Sequence, residues 1–277
     1  MSKNYIIHRR DRENVGDMAS NPRLYFSWLK DWNCVDIVDV EWCDFKDANV
    51  ILGGGGLLYD DFTPFINHII SNKSNGNIRN LIVWGIGRNR HGVFDESLPP
   101  FGEALFEVAD LVGLRDCQVN PDWVPCPSVM HPSFEPTNIR ISNHEVMVCQ
   151  HREDRFRFDY PQGLDDWGEL KMQGRITDII NQIKASDHVL SSSYHGALWG
   201  VCAGAKVAAM NGFSQKFHTG LPDSVRLLDS LELNQGKRLR EAILSSIQVN
   251  PDWLAQARMR TISFANDVQK LLSAKRK

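Results

Sequence analysis

Short apolar runs and helical periods alternate along the first half of the chain. The runs NYIIHR, CVDIVDV, ANVILGGGGLL, NLIVWGIG and LVGLRD have the length and composition of strands. The segments NVGDMASNPRLYFSWLK, FTPFINHIISN and SLPPFGEALFEVAD, which lie between them, have helical periods. Because strands separated by helices are typical of parallel sheets with helices on both faces, this half predicts an α/β domain.

A proline-rich stretch then interrupts the alternation. CPSVMHPSFEPTNIRISNHE, from Cys126 to Glu145, has little periodicity and predicts a linker. Beyond it, VMVCQHR, DHVLSSS and KVAAMNG predict strands, and WGELKMQGRITDIINQIKAS, YHGALWGVCAGA and SVRLLDSLELN predict helices. We therefore expect an α/β protein of two Rossmann-like domains with parallel sheets, residues 1–135 and 136–277. A ligand cleft is expected between them, beyond the carboxyl ends of the strands.

Composition narrows the class of protein. Apolar residues make up 42% and charged residues 23% of the chain, as in soluble globular proteins, and the net charge of −3 gives no general attraction to nucleic acid. The six cysteines form no C-x-x-C pair, which favours reduced thiols over disulfides or a zinc site. The sequence contains no run of 18 apolar residues, so no membrane span is predicted. The first residues are too polar for a signal peptide. A cytoplasmic protein is expected.

Four glycines follow a buried strand in ILGGGGLLYDD. Glycine leaves the backbone amides open to a ligand and tolerates positive φ, so Gly54, Gly55 and Gly56 are candidate ligand contacts, with Asp60 close behind them. The motif is neither a dinucleotide fingerprint nor a Walker A loop. The alternative is tight packing between helix and sheet.

Polar residues also follow three other strands. Asn14 and Asp17 of NVGD either cap a helix or face the cleft. Arg115 suits a carboxylate or phosphate, unless it pairs with Asp116 or lies at the surface. The loop after VMVCQ carries two further candidates for an anionic ligand, His151 and Arg152.

The stretch HVLSSSYHGALWG carries a histidine where a strand gives way to a helix. The positive end of the helix lowers the pKa of His195 and favours its neutral form, and a bound anion would raise that pKa again and make it a general acid. Tyr194 adjoins it, and the hydroxyls of Ser191, Ser192 and Ser193 are available to ligand oxygens. The alternative is a helix-capping cluster with a structural histidine.

The stretch VLSSSYHGALWGVCAGAKVAAMNGFSQKF resembles the C-terminal signature of the polysaccharide pyruvyl transferase family, with Lys216 matching a lysine of that signature. NVGD, ANVILGGGGLL, VWGIG and LVGLRD resemble family motifs in the same order, so the likeness covers about residues 3–217. CPSVMHPSF stands where members often have an aspartate–proline segment, and Ser193 stands where some members carry arginine.

The resemblance implies a GT-B-like arrangement whose cleft takes phosphoenolpyruvate and a sugar. Pyruvate would move onto two hydroxyls of a surface polysaccharide or exopolysaccharide sugar, as a ketal, with no metal and no cofactor besides this co-substrate. His195 would be the acid and base. The donor side would comprise Arg115, Lys216, Arg152, Ser192, Ser193, Gly54 and Gly55. The remaining cleft would comprise Asn14, Asp17, Gly56, Asp60, His151 and Tyr194.

A final helix over about residues 252–274 is expected to pack back on the first domain, with an apolar face that includes Phe264, Ile262 and Val268. The acceptor would be a sugar or lipid-linked oligosaccharide, met in the cytoplasm or peripherally at the inner membrane. Two alternatives stay open: a GT-B-like glycosyltransferase that uses a nucleotide sugar, and a non-catalytic carbohydrate-binding relative. The sequence leaves the oligomeric state open.

Overall fold

The first half of the chain folds into a five-stranded parallel sheet. The computed structural model describes residues 3–89, 97–116, 123–135, 144–151, 167–210, 216–228 and 236–274. The strands are β1 (Asn4–His8), β2 (Asn33–Asp36), β3 (Ala48–Leu58), β4 (Ile78–Arg88) and β5 (Leu111–Leu114), in the order β2-β1-β3-β4-β5. The helices are α1 (Val15–Ala19), α2 (Thr63–Ser74) and α3 (Gly102–Val108).

The second half builds another five-stranded parallel sheet. Its strands are β6 (His144–Gln150), β7 (Gly168–Lys171), β8 (Ser186–Ser191), β9 (Lys206–Met210) and β10 (Arg226–Leu228), in the order β10-β9-β8-β6-β7. The helices are α4 (Ile176–Lys184), α5 (Tyr194–Cys202), α6 (Lys216–Thr219), α7 (Gly236–Leu244) and α8 (Asp252–Ser273). The expectation of an α/β protein with two parallel, Rossmann-like sheets is confirmed.

Both sheets have the same strand order. Counted from its own first strand, each reads 2-1-3-4-5, so the order reverses between the first and third strands. Such a switch point is where open α/β sheets bind ligands, because the loops after the two strands diverge there. The switch points lie between β1 and β3 in the first sheet and between β6 and β8 in the second.

Packing joins the two halves at both ends of the chain. Val15 and Ala19 of α1, from the first half, belong to the same buried cluster as Leu198 and Trp199 of α5. The C-terminal helix α8 packs Phe264 against Trp84 of β4, with ring centroids 5.3 Å apart. Ile262, which was expected on the same buried face, is 45% exposed.

One helix and one strand are shorter than the sequence predicts, because a proline or a capping side chain ends each of them early. The helix expected through Trp28 stops at Ala19, because Pro22 cannot donate to a preceding turn, and two short 3₁₀ helices follow (Pro22–Leu24 and Ser27–Leu29). The strand expected over CVDIVDV ends at Asp36, whose carboxylate accepts from Val38 N–H and caps a 3₁₀ helix.

Three further differences concern strands. GELK, predicted as helix, forms β7 with alternating burial, and RLL, also predicted as helix, forms the short edge strand β10. The four glycines lie within β3 rather than in a turn after it, and the register shifts between Gly55 and Leu58. Within the described residues, no helix is both long and apolar enough to cross a membrane.

Candidate functional site

A cavity of about 420 Å³ opens where the two switch points face each other. The first half contributes Asn14 and Asp17 at the start of α1, and Gly56 near the end of β3. From the second half, α5 contributes Tyr194 and His195 at its first turn. The structure therefore brings together residues that the sequence placed at the ends of separate strands.

The short connection between β8 and α5 is held by serine hydroxyls. Ser191 Oγ accepts from Ser193 N–H (3.0 Å) and donates to the Ser193 carbonyl oxygen (2.7 Å). Ser193 is the N-cap of α5, but its hydroxyl makes no capping bond, and the residue borders the cavity. Ser191 thus fixes the turn and leaves Ser193 and the first N–H groups of α5 beside the open space.

The ring of His195 is buried against α1. Its Nε2 lies 3.2 Å from Ser20 Oγ and 3.6 Å from Cys126 Sγ. A Cβ built on Gly16 would lie only 2.1 Å from His195 Nδ1, so the imidazole rests directly on the backbone of α1. The histidine of the second half is therefore positioned by residues of the first.

Burial keeps His195 neutral. It holds the pKa of the imidazole well below its usual range, and the positive charges of Arg115 and Lys216 lower that pKa further. The sequence also predicts a lowered pKa for His195, but from the positive end of the helix, whereas in the structure burial is the main cause. An anion bound next to these cations would raise the pKa again.

Arg115 both borders the cavity, where it could bind an anion, and pairs with Asp116. Its guanidinium stacks over the Tyr194 ring, 4.4 Å from the centroid, and donates to the Arg88 carbonyl oxygen (2.7 Å). Its Nε also lies 3.5 Å from the buried Asp116 carboxylate, whose pKa is raised by burial against the opposing effect of Arg115. The side chain is 2% exposed, and it still borders the cavity.

Lys216 approaches the first half from α6. The ammonium group donates to Asn89 Oδ1 (2.7 Å), and both residues border the cavity. Asn89 in turn packs on Gly56, where a Cβ would lie 2.6 Å from the Asn89 Cβ. The missing side chain of Gly56 therefore makes room for the partner of Lys216.

Asn14 and Asp17 also serve two purposes. The Asn14 side chain accepts from Gly16 N–H (3.1 Å), which caps α1, and donates to the Asp17 carboxylate (2.9 Å). Both residues border the cavity. Asn14 therefore caps α1 and also borders the cavity, so the two alternatives do not exclude each other.

Several predicted site residues lie elsewhere. Gly54 faces α1 and not the cavity, because a Cβ there would lie 1.9 Å from the Ser20 carbonyl oxygen. Gly55 also faces α1. Ser192 is buried under His151, accepting from its N–H (2.8 Å), and only His151 of this pair borders the cavity. Asp60 is exposed beside the wall, and Arg152 falls outside the described residues.

Other wall and supporting residues were missed by sequence reasoning. An aromatic and acidic rim follows β3, with Tyr59, Asp61, Phe62 and Phe65. Ser20 lies one helical turn after Gly16, a spacing that would have placed it on the same face of α1. Cys126 had no such signal, because it lies far from both in sequence.

The described residues contain no group of three or more His, Cys, Asp or Glu side chains that could hold a metal ion. No protein-family model and no curated protein matches the chain. Among solved structures, it is similar to a functionally uncharacterised protein from Klebsiella pneumoniae, with a TM-score of 0.48 and 12% sequence identity. The match covers 76% of this chain and 83% of that chain.

Proposed function

We propose that the chain is a transferase of the polysaccharide pyruvyl transferase type. It would use phosphoenolpyruvate as donor and a sugar as acceptor, in a cleft between two Rossmann-like domains in a GT-B-like arrangement. The observation that supports the proposal is the convergence of Arg115, Lys216 and the start of α5 on one cavity beside a neutral His195.

An anionic donor suits this side of the cavity. Arg115 and Lys216 are each less than a tenth exposed, so their charges are poorly screened by water and favour a small, highly charged ligand. The N–H groups at the start of α5 favour a phosphate or carboxylate. Ser193 would donate a hydroxyl where some members of the resembled family place a guanidinium.

The opposite side suits a neutral sugar. Tyr59 and Phe62 offer aromatic faces, and Asp17 and Asp61 offer carboxylates that accept hydrogen bonds from hydroxyl groups. The same carboxylates disfavour a second anion. The cavity volume lies within the range of about 300–1,000 Å³ usual for small-molecule sites.

The reaction needs one group that both takes and returns a proton. Neutral His195 would take a proton from the attacking hydroxyl and pass it to the methylene carbon of the donor. Addition to the phosphate-bearing carbon, loss of phosphate and closure by a second hydroxyl would give the ketal. One hydroxyl proton ends on the new methyl group, and the other leaves with phosphate.

Binding and turnover test the proposal in two steps. Thermal shift and calorimetry, in a phosphate-free buffer, would compare phosphoenolpyruvate with UDP- and CMP-sugars. Release of phosphate is then measured with a panel of pyranosides and lipid-linked acceptors, and the acceptor product is examined by mass spectrometry. We expect binding of phosphoenolpyruvate and a ketal product, in a protein that acts in the cytoplasm or peripherally at the inner membrane.

The variant His195→Ala separates binding from chemistry. It should keep the affinity for phosphoenolpyruvate and lower turnover by about 10²–10⁴-fold, the usual contribution of a positioned acid or base. Binding of a nucleotide sugar in place of phosphoenolpyruvate would favour a glycosyltransferase. Binding of sugars alone, with no donor, would favour a carbohydrate-binding relative.

A further inference from the structure

We infer that Ser20 is a positioning residue that fixes His195 as the tautomer with hydrogen on Nε2, so that Nδ1 is the atom that accepts a proton from the ligand. The role in proton transfer rests on the proposed function. The tautomer itself rests on contacts of the described residues alone.

The proton of the Ser20 hydroxyl has its own acceptor. Ser20 Oγ donates to the carbonyl oxygen of Gly16, at 2.7 Å and four residues back in the chain. A hydroxyl has one hydrogen, so the hydrogen between Ser20 Oγ and His195 Nε2, 3.2 Å apart, belongs to the imidazole. With hydrogen on Nδ1 instead, two lone pairs would face each other at this contact.

A buried chain of hydrogen bonds supports the same direction. Trp199 Nε1 is a donor only, and it donates to Ser128 Oγ (3.1 Å). Ser128 Oγ lies 3.3 Å from Cys126 Sγ, and Cys126 Sγ lies 3.3 Å from Ser20 Oγ. With the single hydrogen of Ser20 directed to Gly16, the Cys126 thiol has to donate to Ser20, and Ser128 has to donate to Cys126. Every hydrogen along the chain thus points from Trp199 towards Gly16, and Ser20 Oγ receives from both Cys126 and His195.

This assignment leaves Nδ1 for the ligand. Among the described residues, Nδ1 has no hydrogen-bond partner, and His195 borders the cavity. The Nδ1 edge of the ring occupies the space that the missing side chain of Gly16 leaves on α1, where a Cβ would lie 2.1 Å from Nδ1. Because Ser20 belongs to the first half and His195 to the second, the tautomer is fixed only while the two halves are in contact.

The experiment is ¹⁵N NMR of the whole protein labelled at histidine, with His195→Asn used to assign the signals. In the wild type we expect a protonated Nε2 and an unprotonated Nδ1 for His195. Ser20→Ala should move both signals towards a mixture of tautomers. Ser128→Ala removes a buried hydroxyl of the same chain that does not touch His195, and it should leave both signals in place.

Kinetics supply a second readout. Ser20→Ala should lower kcat by roughly 10- to 100-fold, the range found when a partner that orients a metal-ligating histidine is removed, with little change in KM for phosphoenolpyruvate. A protonated Nδ1 in the wild type, or a Ser20→Ala spectrum identical to wild type, would overturn the inference. If the expected tautomer is found but phosphoenolpyruvate is neither bound nor turned over, the proposed function fails and the positioning by Ser20 stands.

Discussion

The imidazole of His195 lies on the α-carbon of Gly16, so close that a Cβ on Gly16 would come within 2.1 Å of Nδ1. Two residues about 180 positions apart are in contact here because α1 packs into the core of the second half. The space that glycine leaves empty is occupied by the ring, and any side chain on Gly16 has to displace it.

Gly16→Ala is therefore expected to move the imidazole and to lose turnover while the fold persists. Overpacking of this kind typically costs about 1–3 kcal/mol of stability, and loss of a positioned acid or base costs about 10²–10⁴ in rate. Met18→Ala, on the same helix but away from this cavity, is the control. Unfolding in urea and phosphate-release kinetics measure the two effects. Normal turnover in Gly16→Ala would show that the ring does not need this contact.

Gly54→Ala should act on stability before it acts on binding. Its φ of 81° is unfavourable for alanine, and the new Cβ would lie 1.9 Å from the Ser20 carbonyl oxygen. Gly174→Ala is the matched control, since φ is 98° there and nothing lies within 4 Å of the added Cβ. We expect Gly174→Ala to cost about 1–2 kcal/mol and Gly54→Ala about 1–3 kcal/mol more, measured by urea unfolding. Equal losses would mean that α1 moves aside without cost.

Gly54, which faces α1, and Gly56, which borders the cavity, show what the sequence alone could not predict. The alternation of strand and helix was enough to predict two parallel sheets, and the ends of the strands were enough to find Asn14, Arg115 and His195. Which glycine faces a ligand and which faces another helix depends on how far α1 is from β3. That distance is set by tertiary packing, and no local pattern encodes it.

The same limit applies to short elements and distant partners. β7 and β10 have four and three residues, too few to establish a period of two against a helical background. Cys126 reaches His195 because the chain between the two sheets folds under α5. Chain folding of this kind leaves no periodic signal in a single sequence.

Lys216→Met should weaken the binding of phosphoenolpyruvate and leave the fold intact. The variant removes a buried positive charge at the cavity and keeps an unbranched side chain that is one atom shorter. The expected loss is that of a charge-assisted hydrogen bond, about 1.5–3 kcal/mol or roughly 10- to 150-fold in Kd. Lys237→Met removes the same charge from a side chain that is 91% exposed. Isothermal calorimetry of both variants decides the matter: equal affinities would exclude Lys216 from the donor site.

Phe264→Ala should destabilise the first sheet although it lies near the end of the chain. The ring packs edge-on against Trp84, which is fully buried in β4, and it is itself 7% exposed. Removing a buried phenyl ring typically costs about 3–5 kcal/mol. Met259→Ala, on the same helix and 62% exposed, should stay within about 0.5 kcal/mol of wild type. Urea unfolding followed by tryptophan fluorescence compares them, and a loss below about 1 kcal/mol in Phe264→Ala would mean that α8 contributes little to this core.

Acid should destabilise the protein through His8 at the carboxyl end of β1. Burial lowers the pKa of His8 from 6.5 to about 4, and the side chain is only 1% exposed. Neutral Nε2 accepts a hydrogen bond from the Asn21 side-chain amide (3.1 Å), and a proton on Nε2 would end that bond.

The sign of the effect follows from the proton balance. Between pH 6.5 and about 4 the unfolded chain protonates this histidine and the folded chain does not, so the stabilisation is complete above pH 6.5 and is lost as the pH falls through that window. The full difference corresponds to about 3 kcal/mol. Urea unfolding at pH 7.5, 5.5 and 4.5 should therefore show the wild type losing about 2–3 kcal/mol more than His8→Gln over this range. Comparing losses in this way subtracts the contributions of the other histidines, which both proteins share. If the two proteins lose stability in parallel, His8 does not titrate differently in the folded and unfolded states.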